Sequence, residues 1–275
     1  MNPLGFSTEI IRSKDNPAVK YFRKLMASKK ERQNSRLFVL EGRRLVFDAL
    51  KENAPVRRVF ITESAVSDSA GEKLAELIND NIKVVIISDE IGNKISDTGN
   101  TQGIFAQCSF DEKYENIIEL KKGGKYIVLY ELQDPGNAGM IIRTADAMGM
   151  DGVLFCNSCD VYNPKVVRST MGSLFRVPVY RSVSLENVFS AAEKSDLKTF
   201  AAVVDESAYD LKKTSFESGG IIFIGNEGNG LPDEVSSACN EKITIKMTGN
   251  IDSLNAAMAA GISGKKNYEG CSGAL

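Results

Sequence analysis

From residue 125 onward, short apolar runs rich in β-branched residues recur between stretches of helical periodicity: KYIVLYEL, GVLFC, VPVYR, TFAAVV, GIIFIG and KITIKM. Between them the pattern predicts helices over Ala138–Met148, Asn163–Leu174 and Leu185–Lys194, a short one near Asp233–Ala238, and another over Ser253–Gly261. Apolar runs without polar alternation belong to strands covered on both faces, and strands that alternate with helices join as parallel units. The pattern predicts an α/β fold with a mostly parallel sheet and helices on both faces. In such sheets ligands bind beyond the carboxyl ends of the strands.

A similar alternation comes earlier: LFVLEG, a helix over Arg43–Lys51, VRRVFIT, a helix over Ala70–Asn79, KVVIIS and GIFAQCSF. It predicts a compact α/β sandwich ending near Ser109. The charged, then glycine-containing stretch DEKYENIIELKKGG marks a connection between Asp111 and Gly124. With 275 residues, 43% of them hydrophobic, the chain has material for two cores, and we expect domains over residues 1–112 and 124–275.

The first domain carries its charge unevenly. Asn16 can cap a helix begun by Pro17, with Val19, Phe22, Leu25 and Met26 as its apolar face. Lys20, Arg23, Lys24, Lys29, Lys30, Arg32 and Arg36 follow, opposed by Glu31 alone, and then Arg43, Arg44, Arg57 and Arg58. Such density suits a phosphate backbone, although a solvated helix face would look the same.

The inventory excludes several chemistries. There is no histidine, which removes Ser/His/Asp and Cys/His nucleophilic schemes and the common histidine-bearing zinc sites. Five cysteines form no disulfide framework, and CNSC at Cys156–Cys159 lacks the second pair that structural zinc requires, so no metal is expected. No apolar run is long enough to cross a bilayer, and the opening stretch lacks the apolar segment of a secretory signal. The expectation is a cytoplasmic protein without membrane contact.

Three segments place glycine and small polar residues just after predicted strands: DPGNAGMIIRTADAMG, IGNEGNGLP and IKMTGNIDSLNAAMAAG. In the first, a helix beginning near Asn137 carries Arg143, which either binds an anion or pairs with Asp146 three residues on. The second has glycines at 225, 228 and 230, in an order that is not the dinucleotide fingerprint, so a nucleotide-linked oxidoreductase fares poorly. Its glycines either bring backbone amides close to a ligand or make a plain turn. In the third, Asp252 or Ser253 caps an alanine-rich helix, and Asn255 is free to hydrogen-bond between loops.

These three segments, in this order, together with NPKVVRSTMGSLFRVPVY, resemble the motifs of the SpoU (TrmH-like) branch of the SPOUT RNA methyltransferases. The first domain, with SDTGNTQGIFA near its end, is similar to that family's substrate-binding domain. The resemblance implies a trefoil-knotted catalytic domain, a homodimer, and methyl transfer from S-adenosylmethionine to a ribose 2′-hydroxyl of structured RNA, ribosomal RNA favoured over transfer RNA. It implies cofactor contacts at Gly225, Ile245 and Leu254, with Met247 adding an apolar wall, and a polar catalytic constellation of Asn137, Arg143, Glu227, Ser253 and Asn255. A non-catalytic RNA-binding protein with the same fold is the alternative. After Ile262 the chain departs from the family: SGKKNYEGCSGAL has little apolar periodicity and is expected to fray.

Overall fold

The computed structural model describes residues 9–272 apart from 80, 100, 116, 117, 250 and 252. The chain forms two compact units, the first of residues 1–111 and 162–175, the second of residues 112–161 and 176–275.

The first unit runs β1 (Ile10–Ile11), α1 (Pro17–Ala27), α2 (Lys29–Ser35), β2 (Leu37–Glu41), α3 (Arg43–Lys51), β3 (Val56–Thr62), α4 (Glu63–Val66), α5 (Ser69–Leu77), β4 (Lys83–Ile87), α6 (Asp89–Ile95) and β5 (Ile104–Ser109). Its sheet has the order β1-β4-β3-β5-β2, parallel across β1, β4 and β3 and antiparallel across β5. As expected, Asn16 caps α1, its side chain accepting from the Ala18 amide at 2.9 Å, with Pro17 at the first helical position. The α1 stripe of Val19, Phe22 and Leu25 is buried against Val39, Phe60, Val85 and Phe105, and Phe22 meets Phe60 edge-on with ring centroids 5.4 Å apart.

The second unit begins with β6 (Lys125–Tyr130), α7 (Pro135–Ala147) and β7 (Gly152–Cys156). The chain then contributes α8 (Pro164–Ser169) and a 3₁₀ turn to the first unit, which interrupts the contiguous span expected for the second domain. Tyr162 is the physical reason: its ring stacks between Phe38 and Phe110, at centroid distances of 4.3 and 4.1 Å. Arg168 adds an ion pair to Asp97 at 2.6 Å and lies 3.7 Å from Glu41. The second unit resumes with β8 (Val179–Val183), α9 (Leu185–Lys194), β9 (Thr199–Ala202), β10 (Tyr209–Asp210), β11 (Gly220–Ile224), α10 (Asp233–Ala238), β12 (Glu241–Thr244) and α11 (Ala256–Ser272). Residues 112–124, read from the sequence as a connection, belong to this unit: Tyr114, Ile118 and Leu120 pack on its core, and the Arg181 amide donates to the Tyr114 carbonyl at 2.8 Å.

All seven strands of the second sheet are parallel, in the order β10-β12-β9-β11-β6-β7-β8. The order reverses direction at β6 and β11: from β6 the chain moves outward to β7 and β8, and from β11 it moves the other way to β12. The crevice beyond the carboxyl ends of two such strands is where open parallel sheets bind ligands.

Among the described residues the expected fraying after Ile262 does not occur: α11 continues to Ser272. The reason is a stripe of small residues. Ala256, Ala257, Ala260, Ser263, Gly264 and Asn267 are all buried and recur at helical spacing, and the helix packs on α7, β6 and β11. Asn267 donates from Nδ2 to the Gly220 carbonyl at 3.2 Å.

Candidate functional site

The glycine loop after β11 is a tight hairpin, in which the Asn226 amide donates to the Gly230 carbonyl at 3.0 Å and the Gly230 amide returns the bond at 2.9 Å. Gly230 has φ +67°, the left-handed region that glycine adopts at no steric cost. Gly225 is required for a different reason: a Cβ there would lie 2.2 Å from the Gly230 carbonyl carbon and 2.4 Å from the Leu231 nitrogen, both backbone atoms. Asn226, which the sequence reading passed over, organises the hairpin. Its Oδ1 accepts from the Gly228 and Asn229 amides at 2.8 and 3.3 Å, and its Nδ2 donates to the Glu131 carbonyl at 2.9 Å. Glu131 itself holds a positive φ of 54° at the end of β6, a local strain of the kind found at functional crevices.

A directed chain of hydrogen bonds crosses the point where the strand order reverses. Glu227 accepts from the Gln133 amide at 3.2 Å, the Asp134 amide at 2.9 Å and Asn137 Nδ2 at 3.2 Å. An ionised carboxylate only accepts, so Asn137 must turn its NH₂ toward Glu227 and its carbonyl away. That carbonyl accepts from Asn255 Nδ2 at 2.9 Å, which leaves Asn255 Oδ1 to accept from the Ala257 and Met258 amides at 2.9 and 3.3 Å. Asn255 is thus the residue that caps α11, in place of the expected Ser253 or Asp252; the latter lies outside the described residues. Asp134 likewise caps α7 through the Asn137 amide at 2.8 Å, three residues before the predicted start. Burial works against ionisation of Glu227, but the amides of Asp134 and of Glu227 itself, the Asn137 side chain and the Gln133 amide outweigh it, holding the carboxyl below its ordinary value.

Beside this chain opens a cavity of about 730 Å³. Gly225, Glu227, Ile245, Met247, Ser253 and Leu254, drawn from the loops after β11 and β12, line it together. Its walls also include the turn after β9, with Asp205 and Glu206, and Asp233, Lys242 and Ser263, none of which the sequence reading singled out. Three carboxylates against one ammonium on the added walls favour a cationic ligand, and Ile245, Met247, Leu254, Ala256 and Ala259 supply an apolar surface.

Arg143 stands apart from the other predicted residues. It follows Asn137 by six positions on α7, about 9 Å along the axis and on another face. It is exposed, is not among the residues lining the cavity, and has no hydrogen-bond or ion-pair partner among the described residues. Pairing with Asp146 does not occur, because Asp146 is held by Arg176 at 2.8 Å.

The basic run of the first unit divides. Arg32 is 3% exposed, and its guanidinium donates to the Leu25 and Met26 carbonyls at 2.6 and 3.1 Å, closing the end of α1. Arg43 is engaged by Asp68 and by the Gln102 carbonyl. Arg23, Lys24, Lys29 and Lys30 remain exposed, their side chains without partners among the described residues. The thiols of Cys156 and Cys159 are each pushed up to about 11, by burial first and then by neighbouring carboxylates, so neither is a ready nucleophile or ligand. Among the described residues no cluster of metal-ligating side chains forms, and no helix is long and apolar enough to cross a membrane.

Residues 124–264 match the model of the SpoU rRNA Methylase family, and residues 16–106 match that of the MRM3-like substrate binding domain. The chain is 30% identical over 253 residues to the 23S rRNA (guanosine(2553)-2′-O)-methyltransferase RlmP of Bacillus subtilis, covering 92% of this chain and 96% of the relative. It is 31% identical to an uncharacterized tRNA/rRNA methyltransferase of Synechocystis, covering 95% of this chain and 94% of that one. Among solved structures it is similar to an AdoMet-bound rRNA methyltransferase from Sinorhizobium meliloti, with a TM-score of 0.84 at 28% identity over 95% of this chain and 97% of that chain.

Proposed function

The chain belongs to the SpoU rRNA methylase family, and on that premise we propose that it methylates a ribose 2′-hydroxyl of structured RNA, ribosomal RNA before transfer RNA, with S-adenosylmethionine as donor. The observation that carries this reading is the convergence of Gly225, Ile245, Met247 and Leu254 on one cavity next to the Glu227–Asn137–Asn255 chain.

The cavity suits the cofactor. It is large enough for a nucleoside with an amino-acid tail, its walls are apolar where a purine packs, and its carboxylates complement a net positive charge. The bound cofactor supplies an electrophilic methyl group on a sulfonium. Gly225 lets the hairpin backbone approach it, and Ile245, Met247 and Leu254 hold its apolar parts, with Ser253 beside them in the wall. Glu227, Asn137 and Asn255 keep the loops after β6 and β11 and the start of α11 in fixed relation, which in-line transfer requires.

The planar donor fork of Arg143 suits a phosphate, so its role is to bind the phosphate beside the target ribose and stabilise the developing alkoxide. Met140, Met258 and Ile262 on the packed helices α7 and α11 are 53%, 55% and 40% exposed. This apolar face, with Arg143 one helical turn from Met140, supports a homodimer in which the arginine serves the partner's cavity. On the first unit, Arg23, Lys24, Lys29 and Lys30 suit the RNA backbone. We place the protein in the cytoplasm and give its second unit the knotted topology that the resemblance implies.

The test is calorimetric titration with S-adenosylmethionine, followed by mapping of ribose methylation in cellular RNA with and without the gene. Cofactor binding and one lost 2′-O-methyl position are expected. Binding without any change in methylation would instead mark a non-catalytic RNA-binding protein.

A further inference from the structure

No residue of CNSC or NPKVVRS lines the cavity, yet the two segments follow each other with only Asp160, Val161 and Tyr162 between them. The first is bonded to the loop that holds Glu227. Ser158 Oγ accepts from the Leu132 amide at 3.0 Å and donates to the Leu129 carbonyl at 2.8 Å. The Cys159 amide donates to the Leu132 carbonyl at 2.8 Å, and Gln133 Nε2 donates to the Asn157 carbonyl at 3.3 Å. Glu227 in turn accepts from the Gln133 and Asp134 amides of that same loop.

The second segment is anchored within the first unit. Tyr162 stacks between Phe38 and Phe110, and its hydroxyl accepts from the Asp111 amide at 3.2 Å. Asn163 caps α8 through the Lys165 amide at 2.9 Å, and from this helix Arg168 reaches Asp97 at 2.6 Å. Asp97 is no loose surface partner. Glu41, its side chain 6% exposed, accepts from the Asp97 and Thr98 amides at 3.1 and 3.4 Å and from the Thr98 hydroxyl at 2.7 Å, which fixes the turn that carries Asp97. Arg168 Nη1 is closed to water on the inner side, 3.7 Å from the same Glu41. A network of three charges with one end held in advance keeps its geometry where an isolated surface pair does not.

We propose that Arg168 is a positioning residue for methyl transfer: clamped to Asp97 and Glu41, it ties the unit that holds the RNA, through α8 and residues 157–162, to the loop whose amides fix Glu227. The inference rests on the reading of the chain as an RNA methyltransferase with its RNA on the first unit. Such a clamp acts on turnover more than on binding, since neither the exposed basic residues of the first unit nor the walls of the cavity change when it opens.

The test measures transfer of labelled methyl from S-adenosylmethionine to ribosomal RNA from cells lacking the gene. Rates are expressed per cofactor-binding site, counted by calorimetry with S-adenosylhomocysteine. R168A should lower kcat about tenfold, while KM for RNA and the affinity for S-adenosylhomocysteine stay within about threefold. R168K keeps a cation near Asp97 and should recover about half of that loss on a logarithmic scale. S158A loosens the other end of the same link, so it should lower kcat too, and the S158A/R168A double variant should be little slower than the slower single one. If R168A does not fold, D97N weakens the clamp at an exposed side chain and should show the same split between kcat and KM. A kcat within about twofold of the natural chain's, a loss confined to KM, or losses that multiply in the double variant would overturn the inference and leave the methyltransferase reading intact. If the natural chain transfers no methyl to this RNA, that reading falls and the inference with it.

Discussion

No hydrogen bond joins Glu227 to Asn255, but both hydrogen-bond Asn137, so hydrogen-bond coupling between them passes through that one amide. Replacing Glu227 by alanine removes three bonds to a carboxylate at an exposed position. Allowing about 0.5 kcal/mol for each after solvent competition, the loss is about 1.5 kcal/mol. Asn255→Ala removes the cap of α11 and the bond to Asn137, at a cost of about 1 to 1.5 kcal/mol. If Asn137 is held in one orientation by Glu227, its amide turns freely once the carboxylate is gone, and Asn255 has already lost part of what it contributes. The double variant should therefore cost about 0.5 to 1 kcal/mol less than the sum of the singles. Urea unfolding followed by circular dichroism, without cofactor, measures all four corners of the cycle. Repeating it in an Asn137→Ala background should abolish the coupling. Strict additivity within about 0.3 kcal/mol would refute the directed chain and reduce the three residues to independent loop contacts.

Because the Glu227 carboxyl is held below its ordinary value in the folded protein, its contribution is complete above the unfolded pKa of about 4.5 and is lost as pH falls through the lower folded value. The stability gap between the natural chain and Glu227→Gln should shrink on acidification below pH 4.5, and a gap independent of pH would contradict this. Gly225→Ala forces a Cβ into backbone atoms 2.2 to 2.4 Å away, so the hairpin must move, and cofactor affinity should fall about a hundredfold in calorimetry. Arg143→Ala, at an exposed side chain without a partner among the described residues, should change stability by less than about 0.5 kcal/mol and cofactor affinity by less than twofold. Methyl transfer to RNA should nevertheless drop by about a hundredfold or more. Arg32→Ala strips buried carbonyls of their donor and should cost about 3 kcal/mol in urea unfolding, whereas Lys24→Ala and Lys30→Ala leave stability unchanged and flatten the salt dependence of RNA binding.

Much of the site was legible in the residues themselves. The glycines at 225 and 230 mark a turn in the sequence, and at 225 a Cβ would meet the Gly230 and Leu231 backbone; the loops after β6, β11 and β12 are identifiable because strands buried on both faces read as unbroken apolar runs. The basic run was less informative, since charge density says nothing about which guanidinium turns inward; Arg32 does so because the carbonyls at the end of α1 lie within its reach. Ser263 and Asn267 were missed because the stripe on α11 is carried by small residues, and a search for apolar periodicity passes over a helix whose buried face is Ala, Gly, Ser and Asn.

From the chain of residues alone follow the alternating elements, the parallel sheet and the three glycine-containing loops, because strand burial, helix capping and glycine turns depend on neighbours a few positions away. Tertiary structure decided which loops meet. The order β9-β11-β6 brings residues 133–137 beside residue 227, and the packing of α11 across β6 and β11 brings residue 255 to join them. Tyr162 and Arg168 tie residues 162–175 to the first unit in the same way, through a ring stack and ion pairs between segments that are distant along the chain. Such pairings depend on strand order and long-range packing, which leave no mark on the spacing of residues within any one segment.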